Sequence, residues 1–129
     1  RPSMSTLKVT NIQATGETAS RAVSGVAAAW VSFVTSTTTT INDSQGVSGL
    51  VDNGTGDTTV NLTTNMSSTN YMFMGSLGWN ATAAANARTV YQTARSVSSS
   101  RSRTYYTDVS STNPTDSDYN GVSIYGDLA

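Results

Sequence analysis

The segment Leu50-Val51-Asp52-Asn53-Gly54-Thr55-Gly56-Asp57-Thr58-Thr59-Val60-Asn61-Leu62-Thr63-Thr64-Asn65 has the clearest turn and strand pattern of this chain. Its second half alternates with a period of two, the pattern of a half-buried antiparallel strand. One face carries Thr58, Val60 and Leu62, and the other carries Thr59, Asn61 and Thr63. We therefore expect the first half of the segment to contain the turn that leads into this strand.

A tight turn precedes the strand, because Asn53-Gly54 and Gly56-Asp57 tolerate the positive φ angles that such turns need. We predict that Asp52, Asn53, Gly54, Gly56 and Asp57 are structural turn residues. The two aspartates could offer oxygens to a calcium ion. Their spacing is not that of an EF-hand, and no glutamate closes the loop, so we expect no metal here.

Length and composition favour one folded β domain. The chain has 129 residues, 36% of them hydrophobic and only 12% charged, so one core is the most it can fill. Ser, Thr, Asn and Gly make up much of the rest. Two Trp, six Tyr and two Phe, with a net charge of -1, favour a neutral polar surface over disorder.

The same composition excludes several classes of function. A net charge of -1 argues against duplex DNA as a partner, which requires a concentrated basic face. The absence of Cys and His removes disulfides, thiol nucleophiles, zinc-thiolate sites and the commonest general base. No apolar run has the length of a membrane span. We expect no cofactor, no metal and no membrane insertion.

Alternating segments elsewhere predict further strands, namely Ala27–Val34, Tyr71–Met74, Thr89–Tyr91, Ser102–Thr107 and Tyr119–Tyr125. About seven to eight short strands separated by turns are typical of an antiparallel β-sandwich or jelly-roll-like domain. Asn42–Gly49 and Asn113–Asp116 are rich in turn residues, so we predict turns there. The alanines within Asn80–Ala94 favour one or two helical turns by propensity, but without a wide apolar stripe we expect a surface loop that leads into the strand at Thr89.

The domain division follows from the weak patterning at the N-terminus. We predict that residues 1–25 form an arm or tether and that residues 26–129 form the β-sandwich domain. Arg1-Pro2-Ser3 precede Met4, which is compatible with a vector remnant or with a longer natural reading frame.

Four blocks together resemble a family of small domains in tailed-bacteriophage virion proteins, of the tail-fibre or phage structural type. They are Ser5–Val9, Ala29–Phe33, the DNGTGD-T-T-V-N block from Asp52 to Asn61, and Tyr119–Tyr125. The resemblance implies an all-β domain, trimeric, on the outside of a phage particle. Residues Leu77–Ser111 depart from the family pattern, which fits a variable surface.

Arg101, Arg103 and Tyr105 form the local basic and aromatic cluster of the sequence, aligned on one face of a predicted strand. Such a cluster suits single-stranded nucleic acid or an acidic glycan. A solvated strand face or a subunit interface explains it equally well, and the net charge favours that interpretation. Trp79, with the aromatic and methionine residues of 71–74, is a candidate for sugar stacking or an interface, although we expect much of this cluster to be core.

Asp116 and Asp118 are two carboxylates at i and i+2, the minimum that a glycosidase needs. They lie beside a proline in a polar segment, where carboxylates are usually solvated, so we expect no catalysis from them.

The expected function is a non-enzymatic structural protein on the surface of a tailed-phage virion. Its most concrete form is a homotrimeric fibre or receptor-binding module whose loops, Ser76–Asn86 and Val109–Asp118, meet a host surface glycan or protein. The alternative is a capsid decoration, or cement, protein that contacts other virion proteins through the N-terminal arm. A polysaccharide depolymerase is the remote alternative. The chain would be made in the host cytoplasm.

Overall fold

The computed structural model describes residues 5–12, 15, 21–22, 25–78, 87–107 and 112–129. These residues contain eleven strands and no α-helix. The strands are β1 (Asn11–Ile12), β2 (Arg21–Ala22), β3 (Ala27–Val34), β4 (Thr40–Gln45), β5 (Val47–Gly54), β6 (Asp57–Leu62), β7 (Met72–Leu77), β8 (Ala87–Arg95), β9 (Ser99–Thr107), β10 (Thr112–Pro114) and β11 (Asn120–Tyr125).

Nine of these strands form two antiparallel sheets, which confirms the prediction of an all-β sandwich. The first has the order β4-β3-β11-β7. In the second, β9 is central: β8 pairs with it along one edge, β6 and β10 follow one another along the other edge, and β5 lies outside β6. The short strands β1 and β2 pair only with each other.

The predicted hairpin is present as β5, a Thr55-Gly56 turn and β6. The alternation of β6 is confirmed, because Thr58, Val60 and Leu62 are buried while the outward residues at 59 and 61 are half-exposed. The positive φ angles of the turn belong to Gly54 (126°) and Gly56 (63°).

The predicted turns Asn42–Gly49 and Asn113–Asp116 are in part strands. Thr40–Gln45 pairs with β3, placing Gln45 opposite Trp30, so Asn42–Gln45 is extended; Gly46, at φ 70°, is the corner from which the chain enters the other sheet. Thr112–Pro114 pairs with the far end of β9. Proline is tolerated there because β10 is at the sheet edge. In both segments the hydrogen bonds of a neighbouring strand outweigh local turn propensity.

The core is small and partly polar. Its apolar members are Ala29, Val31, Phe33, Val60, Leu62, Met66, Tyr71, Val122 and Ile124. On the inward face of β9, by contrast, lie the buried hydroxyl residues Ser100, Ser102 and Thr104. Gln92 on β8 also faces inward and donates from Nε2 to Oγ of Ser100 at 2.7 Å. The interior of the five-stranded sheet therefore relies on hydrogen bonds as well as on apolar burial.

The cluster at residues 71–74 is core only in part, contrary to the prediction. Tyr71 is 4% exposed and Phe73 is half-buried, but Met72 and Met74 are 54% and 53% exposed. These methionines alternate with Phe73 along β7, which is an edge strand of its sheet.

The hairpin turn is the place where three segments of the second sheet meet. Gly56 donates its N–H to Oδ1 of Asp116 at 2.8 Å, and its carbonyl accepts from the N–H of Thr104 at 2.8 Å. Thr115 in turn donates its N–H to the carbonyl of Thr104 at 3.0 Å. A Cβ atom added to Gly56 would lie 2.6 Å from the carbonyl oxygen of Thr104, whereas one added to Gly54 would meet open space.

We predict that Gly56→Ala destabilises the domain more than Gly54→Ala. Both variants place alanine at positive φ, at a cost of about 1–2 kcal/mol, but only the first also forces backbone atoms apart, which adds roughly 1–3 kcal/mol. Urea unfolding of the two variants and the parent protein measures the difference. Equal losses of unfolding free energy would contradict the close packing of the turn.

Candidate ligand-binding face

The predicted basic and aromatic cluster lies on the outer face of the five-stranded sheet. Arg101, Arg103 and Tyr105 point outward from β9, since the residues that alternate with them are buried. The strand alternation therefore placed all three on one face, as predicted. β6 runs alongside with Asp57 opposite Arg103, and β8 lies on the other side with Tyr91 opposite the same arginine.

Asp57 joins the two arginines. Its Oδ1 accepts from Nε of Arg101 at 2.7 Å, and its Oδ2 accepts from Nη2 of Arg101 at 2.6 Å and from Nε of Arg103 at 2.8 Å. The residue is only 5% exposed. Asn53, near the end of β5, donates to Oγ1 of Thr59 at 2.9 Å and lies 3.5 Å from Oδ1 of Asp57. The carboxylate thus fixes both guanidinium groups, and the set carries a net charge of +1.

These contacts change the acidity of the groups involved. The hydrogen bonds from Arg101 lower the pKa of Asp57 to about 2; burial opposes the change, and Arg103 adds to it. The carboxylate in turn raises the pKa of both arginines. Hydrogen bonding to Tyr91, followed by hydrogen bonding to Arg103, lowers the pKa of Tyr105. The arrangement therefore favours a permanently ionised carboxylate beneath two permanently charged guanidinium groups.

A pair of stacked tyrosines extends the cluster. The rings of Tyr91 and Tyr105 lie 5.5 Å apart between centroids and are inclined by 9°, and Nη1 of Arg103 lies 3.4 Å from the Tyr105 hydroxyl. Tyr91 is 44% exposed. Neither Tyr91 nor the role of Asp57 was predicted from the sequence, because strand register determines their placement. Tyrosine at an outward position of a predicted strand was the only available signal.

Asp52, another of the predicted turn residues, also has structural partners. Oδ1 of Asp52 accepts from the N–H of Gly54 at 2.9 Å, and its Oδ2 accepts from Oγ1 of Thr39 at 3.0 Å. Within the described ranges, no group of three or more acidic residues is arranged to hold a metal ion.

Asp116 and Asp118 serve separate segments. The first accepts from the N–H of Gly56 at 2.8 Å, and the second accepts from the hydroxyl of Ser36. One carboxylate therefore anchors the β5–β6 hairpin and the other the segment that follows β3. Neither contact brings the pair together on a common opening.

The outer face of the four-stranded sheet has a different character. An open cavity of about 420 Å³ runs over β3, β11 and β7, with Trp30, Met74 and Tyr119 among its lining residues. Its floor contains the small residues Ser32, Gly121, Ser76 and Ser123. Nε1 of Trp30 donates to Oε1 of Gln45 at 3.2 Å, which ties the indole to β4. Tyr119 is 62% exposed.

Some predicted contact residues lie outside the described residues. They are Trp79, with the rest of 79–86 in the first predicted loop, and residues 109–111 of the second. The described parts of those loops are ordered differently from the prediction. Ser76 and Leu77 belong to β7, and Thr112–Pro114 is β10.

Comparisons with protein-family models, with curated proteins and with solved structures find no match to this chain. The resemblance to phage virion domains therefore stays a prediction. In the part of the chain that the structure describes, no helix is long and apolar enough to cross a membrane.

We predict that Asp57→Asn removes a pH-dependent part of the stability. The folded-state pKa of Asp57 is lowered from 3.8 to about 2, so its contribution, about 2 kcal/mol, is present above pH 4 and is lost as the pH falls through 2. Urea unfolding at pH 6, 4 and 2 should show a steeper fall for the parent protein than for the variant. Asp43→Asn, at an exposed position on β4, is the control and should keep the steep fall. Parallel curves for the parent and Asp57→Asn would contradict the ion-pair account.

Proposed function

We propose that this protein is a non-enzymatic structural protein on the surface of a tailed-phage virion, a homotrimeric attachment module that binds a host surface. The observation that carries the proposal is the contrast between the two outer faces of the sandwich. One face is apolar and grooved, and the other is charged and aromatic. Such a division suits a module that assembles through one face and recognises through the other.

The apolar face supports self-association. Met72, Met74 and Tyr119 are each more than half exposed, and the groove beside them has an aromatic wall at Trp30. Exposed apolar surface of this kind is typical of interfaces. Ser100 and other hydroxyl residues occupy core positions that apolar side chains could fill. The domain therefore buries less apolar surface than a fully apolar core of the same size would. Association through the grooved face would compensate for that shortage.

The fixed carboxylates support a role other than catalysis. A general acid needs a pKa near the working pH, and the pKa of Asp57 is moved in the opposite direction, to about 2. Asp116 and Asp118 each hold a different segment of the fold. A depolymerase is therefore the least supported of the three candidate functions.

Capsid decoration is the second candidate, and the N-terminal segment favours it. Residues 5–9 form no regular structure, and Leu7, Val9 and Ile12 are 84%, 43% and 43% exposed. Apolar side chains presented on an extended segment suit a neighbouring capsid subunit. They suit a neighbouring chain of a trimer equally.

We predict that Met74→Asp dissociates the assembly. The parent protein should show three times the 13.5 kDa mass of one chain in light scattering at micromolar concentration, and the variant should show the mass of one chain. Val51→Asp makes the same kind of change at a 45% exposed position on the other sheet, and it should leave the assembly intact. A monomeric parent protein would contradict self-association. Dissociation by Val51→Asp but not by Met74→Asp would show that the interface lies on the five-stranded sheet, contrary to the proposal.

Antibody labelling of intact particles tests the location. We expect label at the tail, at a few to tens of copies per particle. Hundreds of copies over the head would support the decoration function in place of attachment. Particles that carry no label, although their genome encodes the chain, would overturn both.

A further inference from the structure

We propose that the outer face of the five-stranded sheet binds a carboxylate-bearing saccharide through Arg101, Arg103, Tyr105 and Tyr91. This inference rests on the proposed attachment function, since it names the chemistry of the host surface that is recognised. It starts from the geometry of the cluster around Asp57, which positions the four side chains.

The two arginines are fixed yet accessible. Asp57 engages Nε and Nη2 of Arg101 but only Nε of Arg103, and each guanidinium carries five N–H donors. The arginine side chains remain 39% and 43% exposed, while that of Asp57 is 6% exposed. Guanidinium groups that are already ordered lose less conformational entropy when they bind a further carboxylate. The buried carboxylate thus orients the pair for an anion at the surface.

The tyrosine pair supplies the second requirement of a sugar site. The ring of Tyr91 is exposed and is stacked on Tyr105, whose hydroxyl lies 3.4 Å from Nη1 of Arg103. A pyranose ring has an apolar C–H face that packs on an aromatic ring, and hydroxyl groups around its edge that hydrogen-bond. A uronic acid adds a carboxylate to that edge, within the reach of an arginine that neighbours the ring.

Charge decides between an acidic saccharide and a nucleic acid. The cluster has a net charge of +1, from two arginines and one aspartate, and the whole chain has a net charge of -1. Binding to a nucleic acid depends on several phosphate contacts along a basic track. One carboxylate per sugar unit matches a single excess positive charge. The saccharide is therefore the better complement to this face.

The test is titration of the full chain with alginate, a uronic acid polymer, by calorimetry at low salt. We expect saturable binding that weakens as NaCl rises and is lost with carboxyl-reduced alginate. Arg103→Lys, which keeps the charge but loses the planar fork, should weaken binding at least fivefold, and Tyr91→Ala should do so at least threefold. Arg95→Gln removes a positive charge near Tyr71 instead and should leave the affinity unchanged. Urea unfolding of each variant confirms that the fold is kept.

Three outcomes would overturn the inference. They are no binding of alginate, equal binding of alginate and a single-stranded DNA oligomer, and equal losses from Arg95→Gln and Arg103→Lys. If alginate does not bind but antibody label is found at the phage tail, the attachment function is kept and its ligand is a different one. Alginate binding with label on the head would keep the saccharide site and remove the attachment function.

Discussion

The carboxylate of Asp57 holds together the outer face on which the recognition hypothesis depends. It is nearly buried, and a buried charge without partners costs several kcal/mol. Arg101 and Arg103 remove that cost and are themselves fixed in return. The residue immediately before it, Gly56, packs its backbone against Thr104 and Asp116. Two adjacent residues therefore join β6 to β9, one through the backbone and one through the side chain.

This junction matters because the apolar core is thin. Among the described residues, nine buried apolar side chains form it, while the inward side of β9 presents Ser100, Ser102 and Thr104. Polar interiors require specific partners, such as the Gln92 amide that donates to Ser100, and they fix strand register more strictly than apolar contacts do. The same composition leaves methionines and aromatic residues of the four-stranded sheet on the outside. In this account, the same polar composition explains both why the single chain depends on hydrogen bonds for its stability and why it would associate with other chains.

Much of the fold could be predicted because the alternation of inward and outward residues can be recognised within a single strand, without knowledge of its neighbours. The pattern of Thr58–Leu62 and that of Ser102–Thr107 assigned the correct faces. The site could be predicted only in part, because the pairing of Asp57 and Tyr91 with Arg103 depends on which strands are neighbours. No local pattern carries that information. Asn42–Gln45 was predicted as part of a turn for the same reason, since only the pairing with β3 makes these residues a strand.

We propose that the two outer faces have different functions, and hydroxyl-radical footprinting within intact phage particles, the proposed setting of the protein, distinguishes between them. In a single unassembled chain, Met72, Met74 and Tyr91 are 54%, 53% and 44% exposed, so all three would be oxidised readily if the four-stranded sheet formed no interface. In the particle, we expect both methionines to be protected and Tyr91 to stay reactive. Protection of Tyr91 with reactive methionines would contradict it.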